Sequence, residues 1–179
     1  MFRPAFIIIA IAILVVSATA SYSWRVRAVP YEEMQMIEAA LTRVAGDKNA
    51  IGYGRKPTHE TRIVKNNPDT RTAFCWYDVT DGPVVISATS SPSYWSLSLY
   101  DRRSENFFVM NNQQASAPEI FEFVLYQKGS PPPSQSSALL VPVDDSQGAA
   151  LMRYFVPTED LEQAVLTARS NATCQSLQQ

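Results

Sequence analysis

The residues that could do chemistry in this chain are few and widely spaced. His59 is its only imidazole, so a Ser–His or Cys–His hydrolase would have one base to draw on. No serine or cysteine stands in a Gly-x-Ser-x-Gly or papain-like context. Asp69, Asp78 and Asp101 could join His59 around a metal, but their spacing follows no ligand loop, and a turn or strand end explains each of them equally well. Gly52-Tyr53-Gly54-Arg55 lacks the strand and helix that a phosphate cradle needs. No catalytic set, metal or cofactor is therefore expected. What stands above background is a polar and aromatic group: Asp69, Tyr94, Tyr100, Asp101, Arg102 and Asn106, with Arg103 beside them. Tyrosines near an arginine and a carboxylate can hold a sugar, an anion or the edge of another protein. The structural explanation of the same residues is plainer, with Asp69 in an Asx-type turn, Asp101 and Asn106 holding a hairpin connection and the arginines solvated.

These residues hang on a β pattern. Ala73 to Tyr77 and Pro83 to Ala88 are mostly β-branched, aromatic or small, and Thr80-Asp81-Gly82 between them reads as a tight turn, so a hairpin is expected. In Tyr94 to Tyr100, strand alternation sets Trp95, Leu97 and Leu99 against Tyr94, Ser96, Ser98 and Tyr100. The polar run 101–106 then turns the chain into a return strand, Phe107 to Met110. Further strands are expected at 61–64, 120–126, 139–143 and 151–156, and the Pro131-Pro132-Pro133 loop cannot join a ladder. Two helices flank the strands. The first covers Tyr31 to Ala45, with Met34, Ile37, Leu41 and Val44 on one face, Pro30 at its start and Gly46 at its end. The second begins at Glu159, capped by Thr158, and runs to about Ala172.

The order Asn67-Pro68-Asp69-Thr70, Trp76-x-Asp78, Gly82-Pro83-Val84-Val85, Tyr94-Trp95-Ser96-Leu97-Ser98-Leu99-Tyr100-Asp101 and Asn106-Phe107 resembles the domain of unknown function 1254 family, in its short bacterial branch with one N-terminal membrane segment. That resemblance implies a β-rich domain, which in longer relatives is followed by a second β domain. It assigns no activity. Longer relatives often read Leu-Tyr where Arg71-Thr72 stand here.

With 179 residues the chain has room for one domain and an appendage, and a net charge of −2 gives no basic face for nucleic acid. Pro4 to Trp24 carries no charge and is apolar throughout Ala5 to Val16. At about 1.5 Å per residue it spans roughly 30 Å, enough to cross a bilayer. Tyr22 and Trp24 then fall at the interface, and Arg25 and Arg27 end the run. Ala18-Thr19-Ala20 also has the form of a signal-peptidase site, so a cleaved leader is the alternative. Either way the following domain reaches the far side of the membrane, where Cys75 and Cys174 can pair.

The expected architecture is a mainly β, antiparallel sandwich-like domain of about eight strands over residues 29–179, carried on an anchor over residues 1–28. The expected setting is the inner membrane, single-pass through residues 4–24, with the C-terminal domain in the periplasm. The expected function is a binding or interaction module, partnered by a separate polypeptide that supplies the companion β domain. The rival is an envelope hydrolase or ligand-processing enzyme using Asp69, Asp101, Arg102 and His59 beside the Tyr94–Asn106 hairpin.

Overall fold

The structure is a computed structural model that describes residues 4–54, 67–114, 120–134 and 137–177, so His59 and the strand expected at 61–64 lie outside the described residues. In chain order the elements are α1 (Pro4–Ala45), β1 (Gly52–Tyr53), β2 (Thr70–Asp78), β3 (Val84–Thr89), β4 (Trp95–Asp101), β5 (Asn106–Asn111), β6 (Ile120–Gln127), β7 (Leu139–Val143), β8 (Gln147–Phe155), α2 (Glu159–Ser170) and β9 (Thr173–Ser176). The strands form a five-stranded sheet ordered β1-β2-β8-β4-β5 and a four-stranded sheet ordered β7-β6-β3-β9. Pairing is antiparallel apart from β6 with β7, which run parallel across the proline-rich connection.

The alternation of side chains decides what each face meets. On β4, Trp95, Leu97 and Leu99 are fully buried in the sandwich core, opposite Phe123, Leu125 and Ile86 of the other sheet. Trp95 lies 4.9 Å from Phe121 and Phe108 lies 6.0 Å from Phe123, ring centre to ring centre, so aromatic packing closes the two layers.

The expected hairpin between β2 and β3 does not form. β2 pairs with β1 and β8, whereas β3 pairs with β6 and β9 in the other sheet. The Val79 N–H is held by the Ser146 carbonyl, and Gly82, at φ +146°, turns the chain across the sandwich. The two apolar faces therefore look at each other across the core instead of lying side by side. Alternation and a turn residue are the same in both arrangements, so the sequence pattern does not separate them.

β9 was not expected, and it places Cys174 opposite Ile86 in the four-stranded sheet while Cys75 pairs with Ala150 in the other. The Cys75–Cys174 disulfide therefore bolts one sheet to the other. The first helix is also different from expectation. Pro30 lies inside α1, which runs unbroken from Pro4 to Ala45, and Val44 is exposed. Proline removes one backbone bond and kinks a helix, but the apolar run before it and the docked face after it hold both halves in helical geometry. Thr158 occupies the N-cap position of α2 without a side-chain cap bond.

Gly148 lets β8 pass between its neighbours: a Cβ there would overlap both the Tyr100 carbonyl oxygen and the Tyr77 hydroxyl, which donates to that carbonyl at 3.1 Å. Gly148→Ala is expected to cost roughly 1–3 kcal/mol in urea unfolding. Tyr77→Phe should not rescue it, because the backbone oxygen remains in the way. Removing both cysteines, which lie 99 residues apart, should lower stability by roughly 2–5 kcal/mol; an unchanged urea midpoint would contradict a crosslink that constrains the unfolded chain.

Candidate functional site

The five-stranded sheet has a second face, turned away from the core, and α1 lies over part of it. Met34 is 3% exposed and packs with Trp76 of β2 and Ala149 of β8, with Leu41 and Tyr100 closing around them. Beside this contact the helix and sheet leave a cleft of about 230 Å³, walled by Met34, Ile37 and Leu41 above and by Phe74 and Leu151 below, with Tyr100 and Arg153 at its polar side. The strand register explains the floor: on this face Phe74 stands beside Leu151, and Thr72 and Ser96 flank Arg153.

The helix is fixed over the sheet by a chain of polar contacts at one end of the strands. Lys48 reaches both Glu38 of α1 and Asp78 of β2 at 3.2 Å, Gln147 Nε2 donates to Asp78 at 2.6 Å, and Arg102 donates to Gln147 at 3.1 Å. Asn49, in the left-handed region at φ 53°, uses its side-chain amide to bond both the N–H and the carbonyl of Asp78. Burial pushes the Asp78 carboxyl up, but hydrogen bonds from Thr80, Lys48 and Gln147 outweigh it and hold the group below the usual carboxylate value.

Of the residues singled out in the sequence, Tyr100 and Asn106 come together. Burial raises the Tyr100 hydroxyl, but hydrogen bonds and charge from Arg153, with Ser98 and Asn106, hold it below the ordinary phenol value. Asp101, 7% exposed, is spent on the hairpin turn: it accepts the N–H groups of Arg103 and Glu105, each at 2.8 Å, and the Arg103 guanidinium at 3.1 Å. Ser104, at φ 65°, completes that turn. Arg102 belongs to the polar chain described above. Tyr94 is 45% exposed at the opposite end of β4. Asp69 lies in a separate cleft with Arg71, Thr158 and Glu162. There the buried Arg71 donates to Glu162 Oε1 at 3.1 Å and to the Pro68 carbonyl at 2.6 Å, binding α2 to β2.

Sequence reasoning missed Arg153 and the helix residues above it. The signal was present: in Leu151-Met152-Arg153-Tyr154-Phe155 a lone arginine interrupts an apolar strand on the face it shares with Leu151. Among the described residues, no group of three histidine, cysteine or carboxylate side chains could hold a metal.

Fold and cleft together define a two-sheet β-sandwich clasped by an inter-sheet disulfide and carrying a long apolar-tipped helix. The chain belongs to the family described as protein of unknown function (DUF1254), whose model matches residues 49–176. Its fold is similar to the crystal structure of the VPA0106 protein from Vibrio parahaemolyticus, with a TM-score of 0.66 at 14% identity over 86% of this chain and 36% of that one. It is also similar to that of an uncharacterised protein from Burkholderia cenocepacia, with a TM-score of 0.55 at 15% identity over 89% of this chain and 42% of that one. The chain thus spans well under half the length of either solved protein. No curated protein matches it.

A carboxylate whose folded pKa lies below its unfolded value stabilises fully above the unfolded value, 3.8 for Asp78, and loses that contribution as pH falls through the folded one. Between about pH 5 and about pH 3 the urea midpoint should therefore fall less steeply in Asp78→Asn than in the native chain. Parallel acid limbs would show that Asp78 does not hold the helix end.

Proposed function

We propose that this protein is a single-pass inner-membrane protein that displays the β-sandwich in the periplasm as a binding or interaction module. The observation that carries the reading is α1. Its residues 6–16 present exposed apolar side chains, and the same unbroken helix continues into the segment docked on the sheet. At about 1.5 Å per residue its 42 residues span roughly 63 Å, about twice the hydrocarbon thickness of a bilayer. By length and composition this is the one helix among the described residues able to cross a membrane. An anchor over residues 1–28 and a far-side domain over 29–179 follow, and the inter-sheet disulfide supports an oxidising compartment.

The binding reading is favoured over catalysis because Asp101 and Arg102 are committed to the hairpin and its polar chain, and Asp69 stands in another cleft. The partner in this reading is a polypeptide carrying a companion β domain. Among the described residues β5 is an edge strand with exposed Phe107 and Val109, which suits sheet extension by such a partner.

The topology is tested by fusing a phosphatase that is active only in the periplasm, and separately a fluorescent protein that matures only in the cytosol, after Gln179. Phosphatase activity, an unprocessed band resistant to alkaline extraction and a dark fluorescent fusion are expected. A fluorescent fusion with no phosphatase activity would sink the reading. Mild-detergent purification should also bring down a stoichiometric partner that Val109→Glu releases.

A further inference from the structure

Arg153 differs from Arg71, Lys48 and Arg103, which meet carboxylates, and from Arg169, which lies 5.1 Å from the Tyr53 ring centre and donates to the Gly54 carbonyl at 3.2 Å. Arg71 meets Glu162, Lys48 meets Glu38 and Asp78, and Arg103 meets Asp101. Arg153 has two long contacts of 3.4 Å, one to the Ser98 hydroxyl and one to the Tyr100 hydroxyl, and among the described residues no carboxylate pairs with it. A guanidinium carries five N–H donors in a planar fork that matches a carboxylate. Here most of that capacity is unspent, and it faces a cleft whose other walls are apolar apart from Tyr100 and Ser104 and include no acidic side chain.

We propose that this cleft binds a single-chain fatty carboxylate, with the chain laid between Met34, Ile37 and Leu41 on one side and Phe74 and Leu151 on the other, and the carboxylate on Arg153 and the Tyr100 hydroxyl. The proposal rests on the binding-module reading and names its ligand. Three features of the site agree on that chemistry. The apolar walls reward a hydrocarbon chain in proportion to the area it covers. The cleft of about 230 Å³ takes the head-proximal part of a medium chain and leaves the tail to run along the open side. An anionic head is selected because a neutral one would leave the fork unpaired, and a cationic one would be repelled. The source is also near: Met34 lies about 15 Å along α1 from Trp24, where the uncharged run ends. Carboxylates released from the bilayer surface would therefore meet the cleft at its helix wall.

The test uses the full chain in phospholipid nanodiscs with a diazirine-bearing dodecanoate as photoprobe, and labelled peptides mapped by mass spectrometry. Labelling is expected on the peptides that contain Met34 to Leu41 and Leu151, displaced by unlabelled dodecanoate at least tenfold better than by dodecanol. Arg153→Gln should weaken labelling about tenfold or more, Arg153→Lys should fall between, and Leu41→Trp, which fills the cleft, should abolish it. Equal urea midpoints for the variants show that they fold. Label confined to residues 4–24, or unchanged in Arg153→Gln, overturns the site. In that event an active periplasmic phosphatase fusion would leave the anchored-module reading intact, so the two failures are told apart.

Discussion

The structure depends on where Trp76 is buried. Its side chain points away from the sandwich core, on the outer face of the five-stranded sheet, yet it is only 1% exposed because α1 covers it with Met34. Its indole N–H finds no partner among the described residues. An unpaired buried donor costs about 1–3 kcal/mol, and the contact persists because covering an indole and a methionine removes far more apolar surface from water than that loss can cancel. Without this contact only the polar link from Glu38 through Lys48 to Asp78 would hold α1 to the sheet, the outer face would be largely solvated, and the cleft beside it would lose its roof.

Much of the sandwich is legible in the chain. The β4 pattern declares its buried face residue by residue, and the two cysteines offer one crosslink, which the structure forms. The parts that stayed hidden share one cause: local patterns report periodicity and chain reversal, while pairing partners are chosen over long distances. Thr80-Asp81-Gly82 announces a reversal but not whether the strands hydrogen-bond or face each other, and the register of β2 with β8 is what decides it. β9 has four residues, too few to show a period, and it exists because the disulfide and the free edge of β3 hold it there. Pro30 reads as a helix start, since proline tolerates the first turn best, but the chain on both sides has independent reasons to stay helical. The candidate site was half legible for the same reason. Tyr100 and Asn106 are close in sequence and meet across a hairpin, whereas Arg153 arrives from the far strand β8 and the apolar wall from a helix more than 50 residues earlier.

Charge is handled differently at the two ends of the five-stranded sheet. At one end, Glu38, Lys48, Asp78, Gln147 and Arg102 form a continuous chain from helix to hairpin in which each charge has an answering group. At the other, Arg71 is buried against Glu162 and fastens α2. Arg71 is buried on β2, and a position that packing alone could fill carries an ion pair there. Such pairs seldom out-stabilise a well-packed apolar side chain, and their contribution is specificity of docking. Both sets are structural: they place helices. Against these, Arg153 stands out as a half-buried cation that lines a largely apolar cleft with no carboxylate against it among the described residues.

The apolar run and the roof of the cleft are parts of one helix, so the proposed anchor and the cleft form one mechanical element. A domain tethered by a flexible linker samples many heights and tilts above a bilayer, and its binding face is oriented only by chance. In this protein no linker intervenes, because the residues that would cross the membrane and those that roof the cleft belong to a single helix. The one weak point is the backbone bond that Pro30 cannot make to the Val26 carbonyl, which falls between the apolar run and Met34. A kink there tilts the sandwich but cannot change the face of α1 that Met34, Ile37 and Leu41 share, since that face is fixed by helical periodicity and by Trp76 beneath it. In the anchored reading proposed above, the height and azimuth of the cleft over the bilayer are set by sequence spacing along α1, and an insertion of one or two residues between Trp24 and Met34 would rotate the apolar run relative to the docked face by about 100° per residue.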